Sequence, residues 1–171
     1  MIYLNIGSNI KSSFGNRFDN ILICLKMLKK CGVKIVNFSH FYETPSYPNK
    51  NFPKFINIGI KVKFNENHFN LLKIIKLVEK KLGKKKTKKN APRICDIDII
   101  DFNRISLNSI NLKLPHPRTH LRNFVLYPLF ENNSNWTHPQ TNQKIRNLLN
   151  NLSLTSRIEI TRLNKSVILR K

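Results

Sequence analysis

Apolar residues recur along this chain with two different periods, and the switches between them mark out its elements. Ile2-Tyr3-Leu4-Asn5-Ile6 reads as a first strand over about 2–6, followed by the turn-forming trio Gly7-Ser8-Asn9. Phe18, Ile21, Leu22, Leu25 and Leu28 fall at helical spacing, which predicts a helix over about 15–30 with Gly32 just past its end. Residues 33–42 alternate as a strand through Val33, Ile35, Phe38 and Phe41. Between Thr44 and Pro53 stand three prolines, so no helix can run through that loop. Residues 55–63 form the clearest strand by period and composition. A second helix runs from Asn67 to about Leu82, with Leu71, Leu72, Ile75, Val78 and Leu82 on one face, and stops at Gly83.

Residues 84–93 then form a basic loop without core residues, closed by Pro92. A strand over about 95–102 follows, then a small hairpin over 105–114 and a break at Pro115-His116-Pro117-Arg118. A short apolar segment and a helix near 142–151 complete the reading. The order βαββαβ is that of a ferredoxin-like α+β sandwich, here with an extra hairpin and a C-terminal helix. No internal repeat is visible. At 171 residues the chain reads as one domain over 1–171, long enough to bury a core.

Composition supports a globular chain. A hydrophobic content of 40% argues against wholesale disorder. No apolar run approaches the roughly 18 residues of a membrane span, and the N-terminus turns polar too quickly for a signal peptide. Cys24, Cys31 and Cys95 are odd in number and match no zinc or disulfide spacing. Cys24 and Cys31, seven apart on one helix face, read as small buried hydrophobes, and a reducing cytoplasm is the natural compartment. The net charge of +22 would ordinarily suggest nucleic acid or an anionic membrane. Here it accompanies an excess of Lys, Asn, Ile and Phe and a single Ala, which reads as chain-wide codon bias toward A and T.

Against that basic background the acidic residues stand out. Of nine Asp and Glu, three lie within six positions: Asp96, Asp98 and Asp101. Asp96 and Asp98 are two apart on a strand and share one face, while Ile97 and Ile99 turn to the core. Adjacent like charges repel without a counter-ion, and a divalent cation accompanying a polyphosphate explains the pair economically. Mg²⁺ typically takes one or two carboxylates and completes its shell with phosphate oxygens and water. The bland reading is an exposed, solvated strand face. Asp101 points to the opposite face if the strand stays regular, so it is left out of the metal site.

Other residues could serve the same chemistry. Eight of the fourteen positions from Lys80 to Arg93 are Lys or Arg; such a run is commonly only solvated, but beside a metal–phosphate site it can close as a charge-neutralising lid. His116 between two prolines is open to a structural or a functional reading. Arg118 and Arg122, four apart, could both address phosphate, Arg122 through its bidentate fork. Asn57 interrupts the apolar pattern of its strand with a donor and an acceptor, which suits either a planar heterocycle or a hydrogen-bonded core.

Together these residues resemble the 6-hydroxymethyl-7,8-dihydropterin pyrophosphokinase family. The resemblance runs through Ile6-Gly7-Ser8-Asn9, Phe41-Tyr42-Glu43-Thr44-Pro45, Phe55-Ile56-Asn57, Pro92-Arg93-Ile94-Cys95-Asp96-Ile97-Asp98-Ile99, Leu114-Pro115-His116-Pro117-Arg118 and Arg122 to Leu129. It covers residues 3 to about 131. It implies transfer of pyrophosphate from MgATP to the hydroxymethyl group of the pterin, releasing AMP, with two Mg²⁺ held by Asp96 and Asp98. On the same resemblance Asn57 would bond the pterin edge, Phe55 and Phe124 would enclose the ring, and Thr44, Pro45 and Tyr47 would line its pocket. Glu79, Arg93, His116, Arg118 and Arg122 fall at ATP-side positions, with Ile99 and Lys113 near the adenine. Lys84 and Lys86 stand where the family usually carries arginines, keeping charge without the bidentate geometry, which points to a slower turnover. An aromatic usual in that loop is absent, with Asn90 nearest, and Asp101-Phe102-Asn103 replaces a glycine turn. No function is assigned to residues 140–171. The implied partners are ATP and the pterin, with no nucleic acid and no membrane, and a monomer is the default.

A contrasting reading is a ferredoxin-like RNA-binding module, which would carry aromatics in RNP-like strings such as Lys/Arg-Gly-Phe. No such string occurs. A third is an inactive descendant, but every position regarded as necessary for metal and pterin is filled.

Overall fold

The computed structural model describes residues 1–84, 91–165 and 167. The chain runs β1 (Ile2–Ser8), α1 (Arg17–Lys30), β2 (Lys34–Phe38), β3 (Tyr42–Thr44), β4 (Phe55–Lys63), α2 (His68–Lys81) and β5 (Asp96–Phe102). The hairpin strands β6 (Leu107–Asn108) and β7 (Lys113–Leu114) follow. Then come α3 (Asn123–Asn132), α4 (Ile145–Asn150), α5 (Leu154–Ile158) and β8 (Thr161–Arg162). The main sheet is antiparallel in the order β5-β1-β4-β3-β8, and β2 pairs with the far end of β4 beside β3.

Local chemistry sets the helix boundaries. Asn16 caps α1: its side chain accepts from the Phe18 N–H at 2.8 Å, while Asp19 accepts from the Asn16 N–H at 2.9 Å. Such a reciprocal box contributes on the order of 1 kcal/mol. Asn67 caps α2 with a single bond, its side chain accepting from the Asn70 N–H at 3.0 Å. Gly32 and Gly83 follow the two helices with φ of +83° and +93°, the left-handed geometry that ends a helix.

The sheet is covered on both faces. Leu4, Ile6, Ile56, Ile58 and Ile60 pack against Ile21, Leu25 and Leu28 of α1 and Leu71, Ile75 and Val78 of α2. On the other face Tyr3 and Ile100 meet Val125, Leu126 and Leu129 of α3, with Trp136, Ile145 and Leu148 behind them. All seven residues of β1 are buried, as a central strand between two layers requires.

Four expectations need correction. The strand expected over 33–42 is two strands, because pairing with β4 shifts register near Asn37 and breaks before Tyr42. The apolar segment after His116 is the ten-residue helix α3, masked in the sequence because it is apolar nearly all round and carries Pro128 inside. Gly59 makes room for it, since a Cβ there would lie 2.6 Å from the Pro128 Cβ. Cys31 is only half-buried at the C-cap of α1, unlike the fully buried Cys24.

Asp101 is the fourth. Tyr3 pairs with Asp101 but Leu4 pairs with Ile99, so Ile100 is an extra residue in a bulge. The bulge turns Asp101 toward α3 instead of the opposite face. There its carboxylate accepts from Trp136 Nε1 at 2.8 Å and from the Arg104 N–H at 2.8 Å. It remains outside the pair formed by Asp96 and Asp98. The turn after β5 uses left-handed Asn103 and Arg104, at φ +51° and +62°. Asp101→Ala would leave both donors without their acceptor, and urea unfolding should show a loss of about 1–3 kcal/mol.

Candidate active site

The site is built on one rung of the sheet. Tyr42, Asn57, Gly7 and Asp96 lie side by side on β3, β4, β1 and β5, and the next rung aligns Gly59, Asn5 and Asp98. Paired residues share a face, so Asn57 and the two aspartates look out from the same side of the sheet. Gly7 occupies the gap between them. A Cβ on it would stand 2.9 Å from Asn57 Oδ1 and 3.4 Å from the Phe55 ring, so the floor there must be bare backbone. Thr44 sits beside Phe55 in register, and its Oγ1 accepts from Asn57 Nδ2 at 3.1 Å. That bond fixes the Asn57 amide and leaves its carbonyl directed over Gly7.

The aspartate end is walled by cations. Asp96 accepts from Lys84 Nζ at 2.6 Å and from Arg93 at 2.7 Å. Asp98 accepts from Arg122 at 3.2 Å, with His116 Nε2 at 3.9 Å. Lys84 also donates to Glu79 at 2.6 Å, and Glu79 in turn accepts from the Ile97 N–H at 2.9 Å. The buried Glu79 thereby ties α2, Lys84 and the aspartate strand together. Both aspartates keep somewhat more than a quarter of their side-chain surface open, so they line a cleft and remain reachable.

Electrostatics treats the two carboxylates differently. Burial alone would raise Asp96, but the charges and hydrogen bonds of Lys84 and Arg93 outweigh it and hold the group below its ordinary value. Burial, then the Asp96 charge, push Asp98 up despite His116 and Arg122. Burial, helped by Arg122 and Arg118, lowers His116 against the pull of Asp98. The Arg118 N–H donates to His116 Nδ1 at 3.2 Å, so the neutral ring carries its proton on Nε2, on the side of Asp98. Burial raises Glu79 against Lys84 and the Ile97 amide.

Asp96, Asp98, Lys84, Arg93, His116, Arg122 and Glu79 therefore form one cluster. Phe124 joins it at the entrance of α3, with the Arg122 guanidinium 5.3 Å from its ring centre. Thr44, Phe55 and Asn57 form the neighbouring half, with Pro45 half-buried beside them. Other candidates stand apart. Tyr47 is 80% exposed, Lys113 and Arg118 are exposed, and the Ile99 side chain is turned into the helix-side core. Lys86 and Asn90 lie outside the described residues.

Two residues escaped the sequence reading. Gly7 needs the strand register to reveal its neighbours: the sequence places it in a turn after residue 6, whereas β1 runs on through it to Ser8. Asn9 is buried where three segments meet: it accepts from the Arg93 N–H at 2.7 Å and donates to Ser46 Oγ and the Pro53 carbonyl, both at 3.2 Å. It joins the arginine beside Asp96 to the loop beside Thr44.

Among the described residues no group of three or more His, Cys, Asp and Glu is disposed to hold a metal ion by itself. A cation at this site would take two hard carboxylate ligands from the protein and the rest from substrate and water, which suits Mg²⁺. Burial and, after it, the Asp96 charge raise Asp98, and a cation held by both carboxylates would offset both effects, so the residues fit it.

The family described as 7,8-dihydro-6-hydroxymethylpterin-pyrophosphokinase (HPPK) matches residues 3–134. The 2-amino-4-hydroxy-6-hydroxymethyldihydropteridine pyrophosphokinase of Aquifex aeolicus is 36% identical over 138 residues, covering 81% of this chain and 83% of that protein. The folic acid synthesis protein fol1 of Pneumocystis carinii is 35% identical over 144 residues, covering 84% of this chain. The match takes in 19% of that relative, so this chain spans about a fifth of its length. The crystal structure of wild-type Plasmodium falciparum HPPK-DHPS superposes with a TM-score of 0.66 at 20% identity, over 87% of this chain and 44% of that one. The chain belongs to the 7,8-dihydro-6-hydroxymethylpterin-pyrophosphokinase family.

Proposed function

We propose that this protein transfers a pyrophosphoryl group from ATP to the hydroxymethyl oxygen of 6-hydroxymethyl-7,8-dihydropterin, giving the pterin diphosphate and AMP in folate biosynthesis. The observation that carries the reading is the shared face of Asn57, Gly7, Asp96 and Asp98, which sets a floor of bare backbone beside a carboxylate pair walled by cations. Nothing in the likenesses supports the RNA-binding alternative.

Asn57, held by Thr44, presents its carbonyl to the donors on the pterin edge, and Phe55 and Phe124 stack on or enclose the ring. Asp96 and Asp98 would hold Mg²⁺, two ions on the family resemblance, which when bound neutralise phosphate charge and orient the triphosphate. Lys84, Arg93 and Arg122 exchange carboxylate for phosphate partners as the nucleotide enters, so the cleft keeps its charge balance in both states. His116 donates from Nε2 to a phosphate oxygen, its proton held there by the Arg118 amide on Nδ1. The pterin oxygen attacks the β-phosphorus in line with the departing AMP oxygen, and the work of the site is positioning and charge neutralisation.

Around this site we read the sheet order as a ferredoxin-like βαββαβ core in which β2 and β3 together serve as one strand. A single domain over 1–171, a monomer and a cytoplasmic setting complete the proposal. Among the described residues no helix is long and apolar enough to cross a membrane.

The direct test is AMP formation from ATP. It should require both Mg²⁺ and 6-hydroxymethyl-7,8-dihydropterin, and removing divalent cations with EDTA should stop it; tight, salt-sensitive RNA binding without pterin-dependent turnover would defeat the reading. Asp98→Ala should lower turnover by on the order of a thousandfold or more while the circular dichroism spectrum is kept, as expected for loss of a metal ligand rather than a core residue. Gly7→Ala should raise KM for the pterin by on the order of tenfold and change KM for ATP little, because the new methyl crowds Asn57 and Phe55.

A further inference from the structure

Residues 153–163 lie beyond the part of the chain that the family matches, and no residue of α5 is buried. Core packing of α5 therefore does not account for its place. The segment is instead attached at four places, three of them beside the pterin half of the site and the fourth through Arg162 to Glu131 and His40.

The Ser156 carbonyl accepts from Asn123 Nδ2, while Asn123 Oδ1 accepts from the Phe124 N–H at 2.6 Å. The Asn123 amide is thus held at both ends, directly before the aromatic residue that faces Arg122. Glu159, just after α5, pairs with Lys50 in the loop between Thr44 and Pro53. Asn9 holds that loop from its other side through Ser46 and Pro53. Thr161 and Arg162 then pair with Glu43 and Tyr42, and the Leu163 N–H donates to the Phe41 carbonyl at 2.8 Å. This covers the outer edge of β3 next to Thr44, the residue that fixes Asn57. Arg162 also pairs at 3.3 Å with Glu131, which accepts from the Tyr42 hydroxyl at 2.8 Å. Among the described residues no hydrogen bond or ion pair runs from 153–163 to Asp96, Asp98, Lys84, Arg93 or His116.

We propose that residues 153–163 form a strap that positions Phe124, the loop over 45–53 and the Thr44–Asn57 pair, and so sets affinity for the pterin without setting affinity for ATP. The proposal rests on the pyrophosphokinase reading above. Asn123, Lys50 and Glu159 are positioning residues in it, since they act through the lining.

Steady-state kinetics on the full chain, with each substrate varied in turn, test it. Lys50→Glu and Glu159→Lys each set like charges together and should raise KM for the pterin about threefold, with kcat and KM for ATP unchanged; the double exchange should restore the wild-type value. Asn123→Ala should raise the pterin KM about tenfold with the same split. Thermal unfolding verifies that each variant is folded. An unmoved pterin KM in folded variants, a parallel change in kcat and KM for ATP, or a double exchange that does not rescue would each overturn the strap alone. Absence of Mg²⁺- and pterin-dependent AMP formation in the wild-type chain would overturn the parent reading, and the strap's stated role with it.

Discussion

Two carboxylates at alternate positions of one strand face the same cleft, and neither can be ionised there without opposite charge close by. The surrounding chain meets that constraint from three separate segments. Lys84 comes from just past the end of α2, Arg93 from the approach to β5 and Arg122 from the entrance of α3, while the proline turn sets the neutral His116 beside Asp98. Glu79 couples the first of these to the backbone of the aspartate strand itself, through the Ile97 amide. The cleft therefore holds its cations in place by the same charges that would later bind metal. A basic chain with net charge +22 could scatter its cations over the whole surface; here the informative ones are those with assigned carboxylate partners.

Much of the fold was legible because its helices and its longest strand carry clear periods. β4 begins and ends where alternation places it, at Phe55 and Lys63, and both long helices start next to an asparagine that caps them. The failures share a cause: tertiary contacts overrode local pattern. α3 lacks a polar stripe because it packs between sheet and α4, and its Pro128 fits only because Gly59 has no side chain. Asp101 was assigned to the wrong face because parity along a strand fails at a bulge, and nothing in the local sequence marks Ile100 as the extra residue.

The candidate site was legible where chemistry is borne by unusual side chains and opaque where it is borne by backbone. Asp96, Asp98 and Asn57 each break the composition of their strand and could be singled out by eye. Gly7 and Asn9 act through which strands and loops become neighbours, which only the register and the hydrogen bonds disclose. Ile99 shows the reverse: a motif position whose side chain, once folded, belongs to the core. The likeness to solved structures at about 20% identity carries the fold, while the family match over residues 3–134 stops short of α4 and everything after it.

One consequence of β1 concerns tolerance to sequence drift. Asn57 and Asp96 are separated by a single strand, and the residue of β1 between them contributes no side chain. Their spacing is two inter-strand steps, roughly 10 Å, maintained by main-chain hydrogen bonds that do not depend on side-chain identity. Exchange of arginine for lysine and enrichment of the surface in asparagine can therefore alter much of this protein while the distance from Asn57 to Asp96 stays the same. The backbone of β1 acts as a fixed ruler between the two halves of the candidate site.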